Sequence, residues 1–497
     1  MSFFLYSKKI NDILKLRIGD YMKKILLFII LLLTPYLVMA EDITLVDYVK
    51  SIAGDAPNTT INEIKKTGLA YDDSKDKNLR YIGQEPNNFV SFNGELWRII
   101  GVMNNVKTPD GKTKTLVKLV RAYSIGRYSW DSSEENINTG YGINEWSKSD
   151  VKELLNNGAY YNRTKGKCYT GPYNQQSNCN FESNGLTTTA KDMITKVVWN
   201  TGSNNSNLDY ATEKGIPKDF YEFERSNNNG KKCDNNNANC NDTVTRTTTW
   251  TGEIGLFYPS DYAYATSGMD GTNREACLNA PISWRQYGDE SWADVYYSCA
   301  QNSWLYNSNT WSWTMSPRVR AWEGSYSGWD GAATEIFYVN YTGYVDSHHA
   351  AADQSEGIGE VYPTVYLDEN VLYIDGNGTK SDPIKLGKYV EEEVTISVNQ
   401  SITISDIIKT STKRMYWNVE GDNITVTNGK VLGAKTGTAI LSTEKDGVTY
   451  FIKVNVVESK EEKQNPETSV GLILPVIILI IISCILMVSI KKKRQLQ

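Results

Sequence analysis

Alternating apolar and polar positions predict strands at both ends of the long central part of the chain. Two such runs, 96–102 and 115–120, flank the turn sequence Pro109-Asp110-Gly111 and predict a β-hairpin. Later runs within 361–387 predict a further pair of strands. Because strands open and close this stretch, we expect both ends of one domain, 80–388, to lie together.

Helical signals stand between these strands. Asp150 followed by Glu153 has the spacing of a capping box, so Asp150 is the predicted N-cap of a short helix within 149–157. The stretch 187–200 predicts a second helix. Strands at both ends, two helices and a long loop-rich middle predict an α+β fold for this head domain.

A second β pattern follows over 392–457. Val394, Ile396 and Val398 alternate with other residues, and Asn428-Gly429 is a tight-turn dipeptide. About six short strands in such a segment predict a small all-β sandwich.

A long apolar run, 470–490, predicts a C-terminal transmembrane helix. Its 21 residues carry no charge, and a helix of that length spans about 30 Å, the thickness of a bilayer core. The basic tail 491–497 predicts a cytoplasmic C-terminus, with the N-terminus outside. The charged stretch 458–469 before the run predicts an extended spacer.

The N-terminal residues have the pattern of a secretory signal. Apolar residues 25–38 lead into Val38-Met39-Ala40, which has small residues at the positions of a cleavage site. We predict a signal peptide over 1–40, with Met22 as an alternative start, and an N-terminal extension over 41–79. An uncleaved signal anchor is the alternative. Both interpretations place most of the chain on the extracellular face of the membrane.

The spacer ends in Asn465-Pro466-Glu467-Thr468-Ser469. Together with the apolar run and the basic tail, this motif resembles a Gram-positive cell-wall sorting signal, in which the commonest motif has Leu first and Gly fifth. The resemblance implies that a sortase cleaves between Thr468 and Ser469 and joins the chain to the cell wall. An uncleaved single-pass membrane protein is the alternative.

Residues of the second β pattern resemble the bacterial Ig-like domain of group 2. They are Trp417, the run 424–431, Gly433 and 437–439. The resemblance covers 392–457 and implies a stalk or spacer module without catalytic residues.

The head resembles a family of uncharacterised exported proteins of Gram-positive gut bacteria, through the strand Glu95-Leu96-Trp97-Arg98 and the late strand 361–367. That resemblance implies a C-type-lectin-like fold, related to formylglycine-generating enzymes. Glu85-Pro86-Asn87 matches a tripeptide by which some lectins hold calcium and sugar. It precedes the first strand, however, and the chain has no Trp-Asn-Asp, so we predict an ordinary turn.

The charge and the cysteine content of the chain bear on which ligands, cross-links and cofactors it is expected to have. With 52 basic and 58 acidic residues the net charge is −6, which argues against a nucleic-acid surface. Six of the seven cysteines precede the apolar run, and an even number in an exported chain predicts disulfides. The connectivity stays open, and the simplest pairing is Cys168–Cys179, Cys233–Cys240 and Cys277–Cys299. No cluster has the ligand spacing of calcium or zinc, so we predict no metal and no cofactor.

Tryptophan is concentrated late in the head, where seven of the 13 fall between 284 and 329. Aromatic rings with polar edges suit sugars and protein hot spots, whereas loop-rich disulfide domains also use Trp as core. We expect most of the seven in the core and the others along a groove. The candidate ligand-binding residues are Trp304, Trp311, Trp313, Trp322, Trp329, Arg318, Glu323 and Asp330.

These features predict an anchored extracellular display protein, an adhesin or binding protein for a glycan or for a host or cell-surface protein. The alternative is an extracellular enzyme that acts on surface glycan or peptide. We expect no enzyme, because His348-His349 beside Asp346 and Ser347 lacks a Gly-x-Ser-x-Gly elbow. A related lectin-like fold hosts a copper oxidase with two cysteines, but here Cys277 and Cys299 are assigned to a structural bridge.

Overall fold

The structure is a computed structural model that describes residues 43–54, 67–132, 142–171, 175–202, 215–226, 246–282, 297–318, 334–351, 358–408, 412, 415–445 and 448–459. The chain divides into two compact units. The first is Met1–Tyr389 with Glu444–Thr449, and the second is Val390–Thr443 with Tyr450–Gln497. The described residues form a mixed α+β protein with more strand than helix, as the sequence predicts.

The helices of the first unit are short. They are α1 (Leu45–Ala53), α2 (Asp150–Asn156), α3 (Ala159–Asn162), α4 (Thr188–Asp192), α5 (Pro217–Glu224), α6 (Pro259–Tyr264) and α7 (Arg274–Leu278), and a 3₁₀ turn, Trp146–Lys148, precedes α2.

The strands of the first unit are β1 (Leu69–Tyr71), β2 (Leu79–Tyr81), β3 (Phe89–Phe92), β4 (Glu95–Lys107), β5 (Thr113–Arg121), β6 (Arg127–Tyr128), β7 (Lys165–Tyr169), β8 (Gln176–Asn180), β9 (Val197–Asn200), β10 (Thr249–Gly252), β11 (Ile254–Gly255), β12 (Ser312–Pro317), β13 (Glu335–Val339), β14 (Val345–His349), β15 (Gly359–Glu360), β16 (Thr364–Tyr366) and β17 (Leu372–Asp375). Strand β18 (Ile384–Ser397) begins in the first unit and ends in the second.

The main sheet of the first unit is built around the hairpin of β4 and β5. Its order is β11–β16–β5–β4–β3–β18, and β2 pairs with the later part of β4. The predicted hairpin is confirmed, since β4 and β5 pair antiparallel from Trp97 opposite Arg121 to Lys107 opposite Thr113. Side chains alternate between the two faces of a strand. Trp97 and Ile99 are buried, and the half-buried Arg98 points to the other face.

The early and late strands lie side by side, as the sequence predicts. β16 pairs antiparallel with β5, and β18 runs parallel to β3 with Ile384 opposite Val90. The two ends of the predicted domain are therefore held in one sheet by backbone hydrogen bonds.

A second sheet, of order β14–β13–β12–β15–β6, contributes much of the aromatic core. The indole of Trp313 donates to the carbonyl of Tyr128 at 2.9 Å, and that of Trp130 donates to Thr314 at 3.1 Å. The tryptophans with a relative exposure of 1% or less are Trp97, Trp130, Trp146, Trp199 and Trp313. Most described tryptophans thus serve the core, which matches the large area that an indole buries.

The first predicted helix is present as α2, but its predicted N-cap is wrong. Ser149 is the cap, because its hydroxyl accepts a hydrogen bond from the Lys152 backbone at 3.2 Å. Asp150 is the first helical residue, and its carboxylate accepts hydrogen bonds from the backbone and side chain of Ser132. A tertiary partner for Asp150 therefore overrode the local capping pattern.

The second predicted helix is correct only at its start. Helix α4 ends at Asp192, and Val197–Asn200 form β9, which pairs antiparallel with β10. β-branched Val197 and Val198 favour a strand, and Trp199 packs against Tyr366 with ring centroids 5.0 Å apart.

The described part of the segment 41–79 belongs to the first unit. Helix α1 buries Leu45, Val49 and Ala53. Tyr48 stacks on Tyr373 of β17, with ring centroids 3.6 Å apart. A segment that the sequence indicates as an extension thus packs against the core.

Two of the predicted disulfides are confirmed. Cys168–Cys179 joins β7 to β8 with a sequence separation of 11, and Cys277–Cys299 has a separation of 22. The predicted Cys233–Cys240 bridge lies outside the described residues.

Removing the hairpin bridge should destabilise the first unit. For a loop as short as that between Cys168 and Cys179, the loop-entropy model gives about 2.5 kcal/mol. We expect the double change Cys168→Ser and Cys179→Ser to lower the free energy of unfolding by that amount in urea titrations. Wild type treated with reductant also loses Cys277–Cys299, so it should be at least as destabilised as the variant. An unchanged midpoint in the variant would contradict the prediction.

The second unit is almost entirely β structure. Its elements are β19 (Ser401–Thr403), α8 (Ile404–Ile408), β20 (Asn418–Glu420), β21 (Ile424–Thr427), β22 (Lys430–Gly433), β23 (Gly437–Lys445) and β24 (Val448–Val457). They form two sheets, β18–β24–β23–β20 and β19–β22–β21. Leu441, Ile452 and Val454 are fully buried, whereas Trp417 is half-buried. The core therefore comes from alternating strand positions rather than from the tryptophan.

The predicted signal peptide 1–40, sorting motif 465–469 and apolar run 470–490 lie outside the described residues. Within the described ranges, no helix has the length and apolar character needed to cross a bilayer.

Candidate functional site

A cleft in the first unit, here called the Arg98 cleft, has two lobes that share Arg98, Trp304 and Tyr306. The first lobe has a volume of about 820 Å³. It is lined by Gln84, Glu85, Pro86, Asn87, Phe89, Arg98, Tyr297, Gln301, Ser303, Trp304, Tyr306, Ser308, Thr379 and Lys380. Volumes of this size are typical of sites that hold small molecules.

Two neighbouring strands position Arg98. It stands opposite Phe89 in the antiparallel pair of β3 and β4, so both side chains leave the sheet on the same face. Its guanidinium lies 4.4 Å from the ring centroid of Phe89 and 4.5 Å from that of Trp304. The two rings contribute cation–π attraction and fix the plane of the group.

Trp304 is held from behind by the main sheet. Its indole donates to the carbonyl of Tyr81 at 2.9 Å, and the adjacent Ser303 makes bridges to Gly83 and Thr266. Only 7% of Trp304 is exposed, so the ring forms a rigid wall of the cleft.

Arg98 is incompletely satisfied. Its Nε donates to Asn88 at 2.8 Å, and Nη1 makes a long contact of 3.4 Å with the carbonyl of Trp304. Nη2 is buried and has no acceptor among the described residues. Burial lowers the pKa of Arg98 to about 10, and the nearby carboxylate of Glu85 offsets part of this effect. The group remains a cation at neutral pH.

The second lobe has a volume of about 430 Å³. Besides the three shared residues it is lined by Val120, Arg121, Ala122, Tyr123, Ser124, Phe257, Leu305, Asn307, Thr310, Ser312, Glu360 and Tyr362. Arg121 of this lobe makes a bidentate contact with Glu95 at 2.8 and 2.5 Å, and Ser124 donates a hydrogen bond to the carboxylate of Glu360.

Two tyrosines at the cleft are unusually exposed for their size. Tyr297 of the first lobe is 44% exposed and Tyr123 of the second lobe is 54% exposed. Both rings can therefore meet a ligand without rearrangement of the core.

The predicted ligand-binding residues are not gathered in one place. Trp304 lines the cleft. Trp311 is half-buried and packs against Tyr338 and His348, with ring centroids 4.8 and 5.6 Å away. Trp313 is fully buried, so it offers no surface to a ligand.

Arg318 is also buried, where it forms an ion pair with Glu335 at 3.1 Å. The remaining candidates, Trp322, Glu323, Trp329 and Asp330, lie outside the described residues.

Comparison with protein-family models, curated proteins and solved structures found no match to this chain. The resemblances noted in the sequence therefore stay predictions, and the geometry of the cleft carries the functional argument.

Most residues of the cleft were not predicted from the sequence. Glu85-Pro86-Asn87, predicted as an ordinary turn, lines the first lobe. Arg98 stands between buried Trp97 and Ile99 in a strand. A lone cation in an apolar strand is a signal that could have pointed to the site. The exposed tyrosines Tyr123 and Tyr297 have no comparable signal in the sequence.

In the described part of the histidine segment, Ser347 lies against a carboxylate and an arginine. Ser347 donates to Glu335 at 2.8 Å and contacts Arg318. His349 Nδ1 lies 2.8 Å from the hydroxyl of Thr334. Among the described residues, no group of three or more His, Cys, Asp or Glu side chains could hold a metal ion.

A network of buried charges lies in the core, away from the cleft lining. Arg80 pairs with Asp72 at 2.9 Å and with Asp261 at 2.5 Å, and Lys118 pairs with the other oxygen of Asp261. The side chains of these residues are at most 2% exposed. The network therefore holds core elements together and cannot meet a ligand.

The buried Glu224 should make stability depend on pH. Burial raises its pKa to about 7, although Arg225 and Ser260 favour the charged form. A raised pKa means that the folded state holds the proton more tightly than the unfolded state. The contribution of the protonated group is complete below about pH 4.5 and is lost as the pH rises through about 7.

We therefore expect the free energy of unfolding of the wild type to fall by roughly 2–3 kcal/mol between pH 4.5 and 7.5. The Glu224→Gln variant should not show this fall. Denaturant titrations at several pH values measure it. Glu222→Gln, on the exposed side of the same helix, is the control and should keep the wild-type slope. A Glu224→Gln variant with the wild-type slope would assign the pH dependence to another group.

Proposed function

We propose that this chain is a surface-displayed binding protein whose first unit holds a carbohydrate in the Arg98 cleft. The observation that carries the proposal is the mixed lining of the cleft. Aromatic rings of Phe89, Trp304 and Tyr306 stand beside amide, hydroxyl and charged side chains. Sugars present apolar C–H faces and hydroxyl edges, so rings and hydrogen-bonding groups together suit them.

The exposed rings of Tyr123 and Tyr297 support the same interpretation. An aromatic ring that is about half exposed leaves apolar area in contact with water, and a ligand that covers it gains the burial energy. Tyrosine is also rigid, so little side-chain entropy is lost on binding.

Display at the cell surface rests on the sequence. The predicted signal peptide 1–40, sorting motif 465–469 and apolar run 470–490 follow one another along the chain in the sequence expected of a wall-anchored protein. The second unit, proposed as Ig-like, would lift the head from the surface. In cells that express the Thr468→Ala variant, we expect detergent to release the intact chain. In cells that express the wild-type protein, muramidase should release the head. Intact wild-type chain recovered wholly by detergent would contradict sortase anchoring.

A glycan array with the purified full-length chain tests the carbohydrate proposal. We expect selective binding that falls about tenfold or more in the double variant Tyr123→Ala and Tyr297→Ala. Tyr416→Ala is the control, because Tyr416 is 90% exposed and lies in the second unit.

The outcomes separate the alternatives. Absence of any glycan binding, or equal binding by the double variant, would contradict the proposal. Capture of a host protein by the same surface without glycan binding would favour a protein ligand. Release of shortened product from a bound glycan would favour the enzymatic alternative.

A further inference from the structure

The first lobe of the Arg98 cleft is lined by two positively charged side chains and one negatively charged side chain. Arg98 and Lys380 line the first lobe, and the carboxylate of Glu85 faces them. No ion pair joins Arg98 or Lys380 to a carboxylate among the described residues. By contrast, Arg121 of the second lobe has a bidentate partner in Glu95.

Other enclosed arginines of the first unit have strong acceptors, although Nη2 of Arg80 is also buried without a partner among the described residues. Arg80 binds two carboxylates, and Arg274 donates to the backbone carbonyls of Thr266, Tyr71 and Tyr264 at 3.0, 3.2 and 2.6 Å. Arg98 has one good hydrogen bond, one long one and the buried Nη2 without an acceptor. Buried donors are usually paired. Arg98 differs from Arg80 in having no carboxylate partner among the described residues and in lining a cleft, where a ligand can supply the acceptor.

The geometry restricts what that acceptor can be. The N–H groups of a guanidinium lie in its plane, so a further acceptor meets its edge, next to the rings of Phe89 and Trp304 at 4.4 and 4.5 Å. The edge of Nη1 and Nη2 matches the two oxygens of a carboxylate. A sugar hydroxyl can also accept from these nitrogens, but it brings no negative charge to offset the guanidinium, as a carboxylate does.

We propose that the Arg98 cleft binds an acidic oligosaccharide, with a uronate-type carboxylate on the Nη1–Nη2 edge of Arg98 and sugar units in both lobes. The proposal rests on carbohydrate binding in this cleft and adds the charge and the length of the ligand. The shared wall of Arg98, Trp304 and Tyr306 joins the two lobes, so a chain held at Arg98 extends into each. Lys380 adds longer-range attraction from the rim of the first lobe.

Matched probes isolate the carboxylate. Titration calorimetry with the full-length chain would use tetragalacturonate, a hyaluronan tetrasaccharide and the methyl ester of each, with galacturonic acid as the single-unit probe. We expect at least one acidic tetramer to bind about tenfold or more tightly than its ester, with an affinity that falls as salt rises. The single unit should bind much more weakly than the tetramer.

Variants assign the contact. Arg98→Met should weaken binding of the acidic tetramer about 30-fold and leave the ester unchanged, and Arg98→Lys should restore part of the loss. Tyr123→Ala should weaken the tetramer but not the single unit. Lys112→Ala, an exposed turn lysine outside the cleft, is the control for Lys380→Ala. Thermal melts show whether the Arg98 variants are folded. If they are not, Lys380→Ala tests the attraction of the cleft for the acidic tetramer, which should bind more weakly to this variant than to Lys112→Ala.

Equal affinity for acid and ester would overturn the proposal while leaving carbohydrate binding intact. Full binding of the acid by folded Arg98→Met would overturn the assignment to Arg98. If neither acidic nor neutral probes bind, and the glycan array is also negative, the proposed function itself fails. Binding of acidic peptides in place of every saccharide would also overturn the proposal.

Discussion

Asp261→Asn is expected to lower the free energy of unfolding by about 4 kcal/mol, because it removes the shared counter-charge of two buried cations. Asp261 accepts from Arg80 through Oδ1 and from Lys118 through Oδ2, each at 2.5 Å, and also from the backbone of Tyr258 at 2.9 Å. Burial alone would raise its pKa, but Lys118 and Arg80 hold the pKa well below the usual range of an aspartate. The folded state therefore depends on the ionised form.

The consequence for pH follows from that sign. A depressed pKa contributes stability above about pH 4, and this stability is lost as the pH falls toward the folded value. Asp261→Asn should therefore flatten the acid side of the stability profile as well as lower it.

Urea titrations with Asp375→Asn as control measure the effect. Asp375 pairs with Lys385 at 2.8 Å on the surface, where an ion pair adds little, so its loss should be undetectable. Equal effects of the two changes would show that the buried network does not stabilise the core. The double variant Lys118→Met/Asp261→Asn should lose less free energy of unfolding than the two single variants lose in sum, because it contains no unpaired ammonium group.

Gly101→Ala is expected to cost more than about 3 kcal/mol, at the upper end for overpacked cores. A Cβ at this position would lie 2.2 Å from the carbonyl oxygen of Leu79, a backbone atom that cannot turn away. Gly101 stands opposite Arg80 in the pairing of β4 with β2, and the pairing of β4 with β5 shifts register at this residue. A methyl group would therefore push β2 outward and move Arg80 away from its carboxylates.

Gly94→Ala is the matched control for this prediction. A Cβ there meets no atom within 4 Å, so only its φ of +74° opposes the change, at about 1 kcal/mol. Thermal and urea unfolding of both variants should separate two costs. One is the clash of the new methyl group with the Leu79 carbonyl, and the other is the strain of a positive φ. Comparable losses would mean that the sheet relaxes around the methyl group.

Pattern alone was sufficient for the local β structure. The hairpin of β4 and β5 and the neighbouring late strands follow from alternation and turn residues, which act over short distances. The disulfides Cys168–Cys179 and Cys277–Cys299 also followed from sequence proximity. These features depend on contacts that the sequence order itself makes probable.

Long-range contacts decided the features that were missed. Val197–Asn200 form a strand because they pair with β10. Asp150 is not the N-cap, because its carboxylate accepts a hydrogen bond from Ser132. The cleft has the same origin. The contact of Arg98 with Phe89 and Trp304 depends on the pairing of the strands and on the hydrogen bond from Trp304 to Tyr81. The spacing of these residues in the sequence does not predict that contact.

Photo-crosslinking would show whether the Arg98 cleft is the ligand-binding surface. A photoreactive derivative of the glycan selected on the array would be irradiated with the full-length chain, and the labelled peptides mapped by mass spectrometry. We expect labels on residues 84–98 and 297–308 that unmodified glycan competes away and that are lost in the double variant Tyr123→Ala and Tyr297→Ala. Competed labels confined to the second unit, or to the strand face that carries Trp311 and Tyr338, would contradict it.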